Sequence, residues 1–154
     1  IFDADVDDLL AKADDYYRQA GTPCCVEWFD DLAAANVAAK ASASAHAIPL
    51  VAAGRYGLLK IVEPTLTLEV ATLQNFLDDY LQGCSKARID YIHGEEAVTR
   101  FGRQQGNIGF YLPSISKHDL FRTIVRDGAL PRKTFSMGEA DEKRFYLEAR
   151  RITR

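Results

Sequence analysis

The sequence predicts an α+β fold: a mixed, partly antiparallel β-sheet with helices packed on it and a β-hairpin at the C-terminal end. Three observations carry this expectation. Apolar residues recur at helical spacing over Thr67 to Leu81, where Val70, Leu73, Leu77 and Tyr80 share one face. Two apolar runs, His46 to Ala53 and Arg55 to Glu63, flank a single glycine, Gly54, as the arms of an antiparallel hairpin do. Segments of helical and of strand character interleave along the chain, with at least two hairpin-like connections, and no internal repeat or low-complexity linker separates them.

Each element has a local reason. Asp3 to Ala20 reads as a helix, with acidic residues at its start, a face of Leu9, Leu10, Ala13, Tyr16 and Tyr17, and Gly21 to stop it. Pro23 to Phe29 is short, apolar and partly β-branched or aromatic, as strands are. Asp30 or Asp31 then caps an Ala-rich helix running to about Ala41, and Ser42 to Ala45 forms a loop. Pro64 closes the hairpin, and the Thr67–Leu81 helix ends with Gly83 beyond it. Arg88 to His93 alternates Ile89, Tyr91 and His93 against Arg88, Asp90 and Ile92, the pattern of a strand leaving at Gly94. A short helix over Glu95 to Arg103 follows, then a strand over Asn107 to Leu112 apolar enough to lie centrally in a sheet. Ser116 and Asp119 resemble a capping box for a helix to Asp127 that buries Leu120, Phe121, Ile124 and Val125 and stops at Gly128. A last pair of strands, about Lys133 to Met137 and Lys143 to Ile152, joins through Gly138 to Glu142.

Composition bounds the class. At 154 residues the chain, 1–154, is expected to form a single domain large enough for a sizeable core, and 47% hydrophobic with 27% charged residues is ordinary for a globular protein. No apolar run approaches the ~20 residues of a membrane span, so no membrane association is expected. The three cysteines, Cys24, Cys25 and Cys84, have no Cys-x-x-Cys spacing, and the three histidines are isolated. No metal, cofactor or disulfide framework is therefore expected, and a reducing cytoplasm is the expected location. Cys24 and Cys25 fall on opposite faces of their strand, so at most one joins the core.

Charge is uneven. Residues 1–80 hold 5 basic and 13 acidic groups, net −8, while residues 81–154 hold 14 and 9, net +5. The whole chain is too acidic for a general nucleic-acid binder, whose affinity rests on neutralising phosphates. The asymmetry points instead to one electropositive face. Its densest part is Leu130 to Ile152, where Arg132, Lys133, Lys143, Arg144, Arg150 and Arg151 are interspersed with Thr134, Ser136, Phe135, Met137, Phe145, Tyr146 and Leu147. Cations over an apolar floor bind anions, and arginine forks give bidentate contacts to phosphate or carboxylate. Arg132, Lys133, Ser136 and Lys143 are the expected anion-binding residues. The competing reading is a hairpin whose cations pair with Glu139, Asp141, Glu142 and Glu148.

Three short runs carry a resemblance: R-I-D-Y-I-H-G at 88–94, G-F-Y-L-P at 109–113 and the Pro-basic-Lys-Thr segment from Pro131. In this order they resemble the C-terminal part of the prokaryotic family catalogued as domain of unknown function 1015, over about residues 84–152 and only loosely before that. The resemblance implies the C-terminal portion of a larger protein, whose missing N-terminal half would be a partner. Full members carry an Asp-Gly-His-His-Arg stretch similar to one in ParB-like proteins, and no such stretch occurs here. Ile1 in place of Met fits a fragment.

No reaction is legible. His93 with Glu95 or Glu96 would stand where a strand gives way to a helix, as a general base and its orienting carboxylate, but carboxylates in a first helical turn already favour the dipole. His118 and Asp119 fall in a capping position, and no phosphate-binding glycine loop is present. Whether the chain is an enzyme is open and catalytic residues are unknown. The expected function is a domain that helps form a cleft for a phosphorylated small molecule or nucleotide. The alternative is a structural domain that docks onto the missing half or pairs as a homodimer.

Overall fold

The computed structural model describes residues 1–42, 44–113 and 120–128, with backbone only at 120–122. Its elements are α1 (Val6–Gln19), β1 (Cys24–Phe29), α2 (Leu32–Ala41), β2 (Ala45–Ala52), β3 (Arg55–Val62), α3 (Glu69–Gly83), α4 (Glu95–Gly102), β4 (Ile108–Phe110) and α5 (Leu120–Asp127). The architecture is α+β, and the described pairings are all antiparallel, in the order β1-β3-β2-β4. The expected strands at 133–137 and 143–152, the C-terminal hairpin they would form and the Ser116–Asp119 capping box lie outside the described residues.

The central hairpin forms because its turn matches the twist of its arms. Ala53 and Gly54 both have positive φ, 47° and 82°, the pairing that two-residue hairpin turns require. The register places Ala52 opposite Arg55 and Ile48 opposite Leu59. Side-chain alternation then sorts the sheet into two faces. Ile48, Leu50 and Ala52 join Leu59, Ile61 and Ile108 in one core with Leu9, Ala13 and Tyr17 of α1 and Leu73, Phe76, Leu77 and Tyr80 of α3. Val51, Leu58 and Ala35, each at 0% exposure, stand outside that cluster, so α2 and α4 cover the opposite face.

Helix ends follow the expected chemistry except in α3, where Gly83 is the last helical residue rather than a position beyond the end. Asp5 caps α1 by accepting from the Asp7 and Asp8 amides, and Asp31 caps α2 by accepting from Ala34 N at 2.7 Å. Helix α3 begins later than the sequence suggests, because Leu68 is extended and the Thr67 N–H is taken by Asp127 Oδ2 of α5 at 2.6 Å.

Three expectations are corrected. Arg88 to His93 is not a strand: its one ladder contact is the bridge of Arg88 with Phe2. Asp90 accepts from the Tyr91 amide, and the Tyr91 hydroxyl donates to Gln74 Oε1 of α3 at 2.7 Å, so the alternation reflects packing on a helix. The strand within 107–112 is three residues long and lies at an edge of the described sheet, beyond β2. In α5, Ile124 and Val125 are exposed, at 40% and 87%, while Thr123 is buried. The inward face of that helix is the one carrying Thr123 and, one turn on, Asp127, which accepts from Thr67 just ahead of α3.

Candidate functional site

The expected anion-binding residues Arg132, Lys133, Ser136 and Lys143 lie outside the described residues, as do His118 and Asp119. What the described residues bring together is a groove on α4 that the sequence reading overlooked. Glu95, Glu96, Thr99, Arg100 and Arg103 line an open depression of about 320 Å³. These positions repeat at helical spacing, so one stripe of α4 together with its C-cap residue Arg103 supplies the whole wall.

The sheet beneath holds that wall in place. Arg103 Nη2 donates to the Tyr56 hydroxyl of β3 at 3.0 Å, and Thr99 Oγ1 lies 2.7 Å from the Tyr111 hydroxyl just past β4. Thr99 also donates to the Glu95 carbonyl at 2.9 Å, which fixes its rotamer. Burial pushes the Tyr111 phenol up, Tyr56 and Glu95 add to that, and Thr99 and Arg103 oppose it, so it is protonated at neutral pH and able to donate. Arg100 lies over the Phe101 ring, 4.9 Å from its centroid. Among the described residues, neither Arg100 nor Arg103 pairs with a carboxylate. Two guanidiniums therefore face a groove with their charge uncompensated by a bonded acid.

Helix α4 reaches this position because two glycines let it. A Cβ on Gly102 would meet Val51 Cγ1 at 2.4 Å and the Val51 carbonyl at 2.8 Å, and one on Gly109 would meet Val98 Cγ1 at 2.7 Å. Helix and sheet touch through backbone at this point, which brings the stripe of α4 within reach of Tyr56 and Tyr111.

Of the other expected residues, Glu95 and Glu96 are exposed in the first turn of α4, where they complement the helix dipole. His93 is exposed ahead of Gly94 and is not among the described residues lining the groove. Arg88 pairs with Asp3, at 2.6 Å from Nη2 and 3.2 Å from Nε. No group of three or more His, Cys, Asp or Glu side chains suited to a metal ion occurs among the described residues, and none of the described helices is long and apolar enough to cross a membrane.

A second polar cluster is internal. His46 of β2, 7% exposed, has Nδ1 2.9 Å from Thr72 Oγ1, with Glu69 and the Thr67–Asp127 pair beside it. Its burial makes it a tie between β2, α3 and α5 rather than a place that meets ligand. Burial lowers the imidazole below its usual value, against the opposing pull of Glu69, the Thr67 backbone and Asp127. A lowered histidine binds fewer protons folded than unfolded, so its contribution is present above about 6.5 and is lost as pH falls below that. The Asp127 carboxylate works the same way at lower pH. Burial would raise it, but the N–H bond from Thr67 and the charges of Arg126 and His46 outweigh that, and the net shift is downward from 3.8. The expected result is a denaturation midpoint that drops between pH 7 and pH 5, with a flatter profile for His46→Gln, measured by urea titration at each pH. An unchanged profile in the variant would mean that other groups set the slope.

Comparisons of the chain with family models, with curated proteins and with solved structures give no match. The functional reading rests on the geometry just described.

Proposed function

We propose that this protein binds an anionic small molecule, of the phosphorylated metabolite or nucleotide class, and that the α4 groove supplies part of the site. The observation that supports this is the pair of guanidiniums at Arg100 and Arg103, one aligned by a tyrosine hydroxyl, lining an open groove and, among the described residues, bonded to no carboxylate. Arginine presents a planar fork suited to phosphate oxygens, and the Tyr111 hydroxyl, bonded to Thr99, holds that part of the wall in place. Glu95 and Glu96 restrict where a dianion sits: the phosphate belongs at the Arg103 end, and the opposite end suits a hydrogen-bond donor such as an exocyclic amine. Arg132, Lys133, Ser136 and Lys143 would add a second set of anion contacts from the C-terminal segment. The resemblance to the domain of unknown function 1015 family is compatible with a cleft completed by a further portion of a longer protein.

A second reading is docking, onto a preceding half of such a protein or onto another copy of this chain. The observation favouring it is the outer edge of β1, which among the described residues has a neighbouring strand on one side only and carries Trp28 at 38% exposure. Open strand edges pair with other strands.

Thermal melting against a panel of phosphorylated sugars, nucleotides and dicarboxylates separates these readings. A ligand that binds the folded state raises the melting temperature as its concentration rises. The expected result is a rise with phosphorylated compounds that Arg100→Ala/Arg103→Ala removes. A rise lost only in Arg132→Ala/Lys133→Ala would place the site on the C-terminal segment instead. A flat panel together with a concentration-dependent mass in sedimentation would favour docking.

A further inference from the structure

The sequence of α4 offers an ion pair that the structure does not form. Glu96 and Arg100 stand four residues apart with the acid first, the spacing and order in which charges on a helix ordinarily pair. Yet among the described residues none of Glu95, Glu96, Arg100 and Arg103 belongs to an ion pair. Each guanidinium is held elsewhere. Arg100 lies over the Phe101 ring, 4.9 Å from its centroid, and Arg103 donates to the Tyr56 hydroxyl at 3.0 Å.

Thr99 keeps the two kinds of charge apart. It lines the groove between them, and its hydroxyl is committed twice, donating to the Glu95 carbonyl at 2.9 Å and lying 2.7 Å from the Tyr111 hydroxyl. The wall thus runs from two exposed carboxylates through a neutral middle to two exposed guanidiniums. At ~1.5 Å of rise per residue, the two ends lie roughly 6 Å apart along the axis from Glu96 to Arg100, and roughly 12 Å from Glu95 to Arg103.

This balance decides between ligands. Two acids and two bases line the groove, so a plain dianion meets as many repelling groups as attracting ones. A ligand with both signs at matching ends is attracted by all four. Selectivity then comes as much from repulsion of the wrong ligand as from contacts to the right one.

On the premise that the groove binds phosphate, as proposed above, we infer that it selects a phosphate monoester that also carries an ammonium group, of the amino-sugar phosphate class. The phosphate lies on Arg100 and Arg103, and the ammonium lies on Glu95 and Glu96. In a hexose 6-phosphate with its amine on carbon 2, the two groups stand on opposite sides of the ring, which is the arrangement the wall requires.

Isothermal titration of the full chain at pH 7 tests this with glucosamine 6-phosphate, glucose 6-phosphate, N-acetylglucosamine 6-phosphate and AMP. The three sugars share the phosphate and differ at carbon 2, and the exocyclic amine of AMP is uncharged. Glucosamine 6-phosphate should bind at least about tenfold more tightly than the other two sugars. In Glu95→Gln/Glu96→Gln, where both side chains are exposed and the fold should survive, that preference should vanish. Glucose 6-phosphate should also bind this variant more tightly than the unaltered protein, because the repulsion is gone. Glu95→Asp/Glu96→Asp keeps the charges and should keep most of the preference. Equal affinities for the three sugars, all lost in Arg100→Ala/Arg103→Ala, would overturn the inference while leaving the phosphate site standing, and so would binding of AMP but of no sugar. A preference that survives Glu95→Gln/Glu96→Gln would overturn it too, because another group would then read the ammonium. No binding by any of the four would overturn the inference and the phosphate site together.

Discussion

Phe76→Ala is expected to destabilise the fold by about 3–5 kcal/mol. The ring is 1% exposed at the centre of α3 and lies among Tyr16, Tyr17 and Tyr80, with centroid separations of 5.6, 5.8 and 6.1 Å. Truncation removes the transfer energy of the ring and leaves a cavity. Aromatic pairs of this kind contribute a further ~0.5–1.5 kcal/mol each beyond area burial. The tyrosines cannot close the gap freely, because the Tyr17 hydroxyl is tied to the Thr72 carbonyl at 3.0 Å. For a domain of this length each kcal/mol lowers the melting temperature by about 2–4 °C, so a drop of roughly 10 °C is expected. Val125→Ala is the control: that side chain is 87% exposed, and its loss should change stability by no more than about 0.5 kcal/mol. Urea denaturation of the two variants checks both. A Phe76→Ala cost near that of the control would mean that the core is not centred on α3.

The elements that were legible in the sequence are those whose signals are local. The α3 face of Val70, Leu73, Leu77 and Tyr80 is buried as its spacing implies, and the hairpin follows from two apolar runs around Gly54. Asp31 caps α2 because a short carboxylate before an Ala-rich run has few other uses. Arg88 to His93 misled because alternation reports only that side chains point two ways. Asp90 and Tyr91 satisfy their polar groups through their own loop and α3, so no ladder is needed. In α5 the apolar pair Ile124 and Val125 was assigned inward, yet Thr123 and Asp127 face the protein, because the bond from Thr67 to Asp127 decides the rotation of the helix.

The candidate groove was illegible for a related reason. Its wall comes from α4 and the capping Arg103, its supports come from β3 and the residue after β4, and no sequence pattern joins Tyr56 to Arg103 across 47 positions. One signal was present: Glu95, Thr99 and Arg103 stand at four-residue steps, with Glu96 and Arg100 in the adjoining row, so a polar stripe runs along one face of a short helix. The cation density at 132–143 is a louder sequence signal than Arg100 and Arg103. The His46 cluster shows the same limit, because Thr72 lies 26 residues away and Asp127 further still.

Gly102→Ala links stability to the groove. The added methyl would lie 2.4 Å from Val51 Cγ1 and 2.8 Å from the Val51 carbonyl, and 3.2 Å from the Gly109 amide. The valine methyl can turn aside, but the carbonyl belongs to β2 at the middle of the sheet and cannot move without breaking its pairing. Helix α4 has to shift instead. Overpacking of this kind costs about 1–3 kcal/mol. The shift also carries Arg103 away from the Tyr56 hydroxyl and Thr99 away from Tyr111, so the two guanidiniums lose the sheet contacts that align them. A second consequence is therefore expected: any stabilisation by phosphorylated ligands should fall in Gly102→Ala even at temperatures where the variant is fully folded. Ala97→Gly separates the two effects, since it weakens α4 by about 1 kcal/mol through helix propensity without adding an atom between helix and sheet. Equal loss of ligand response in both would show that the groove needs only a stable helix. Loss in Gly102→Ala alone would show that it needs α4 seated on Val51 and Gly109.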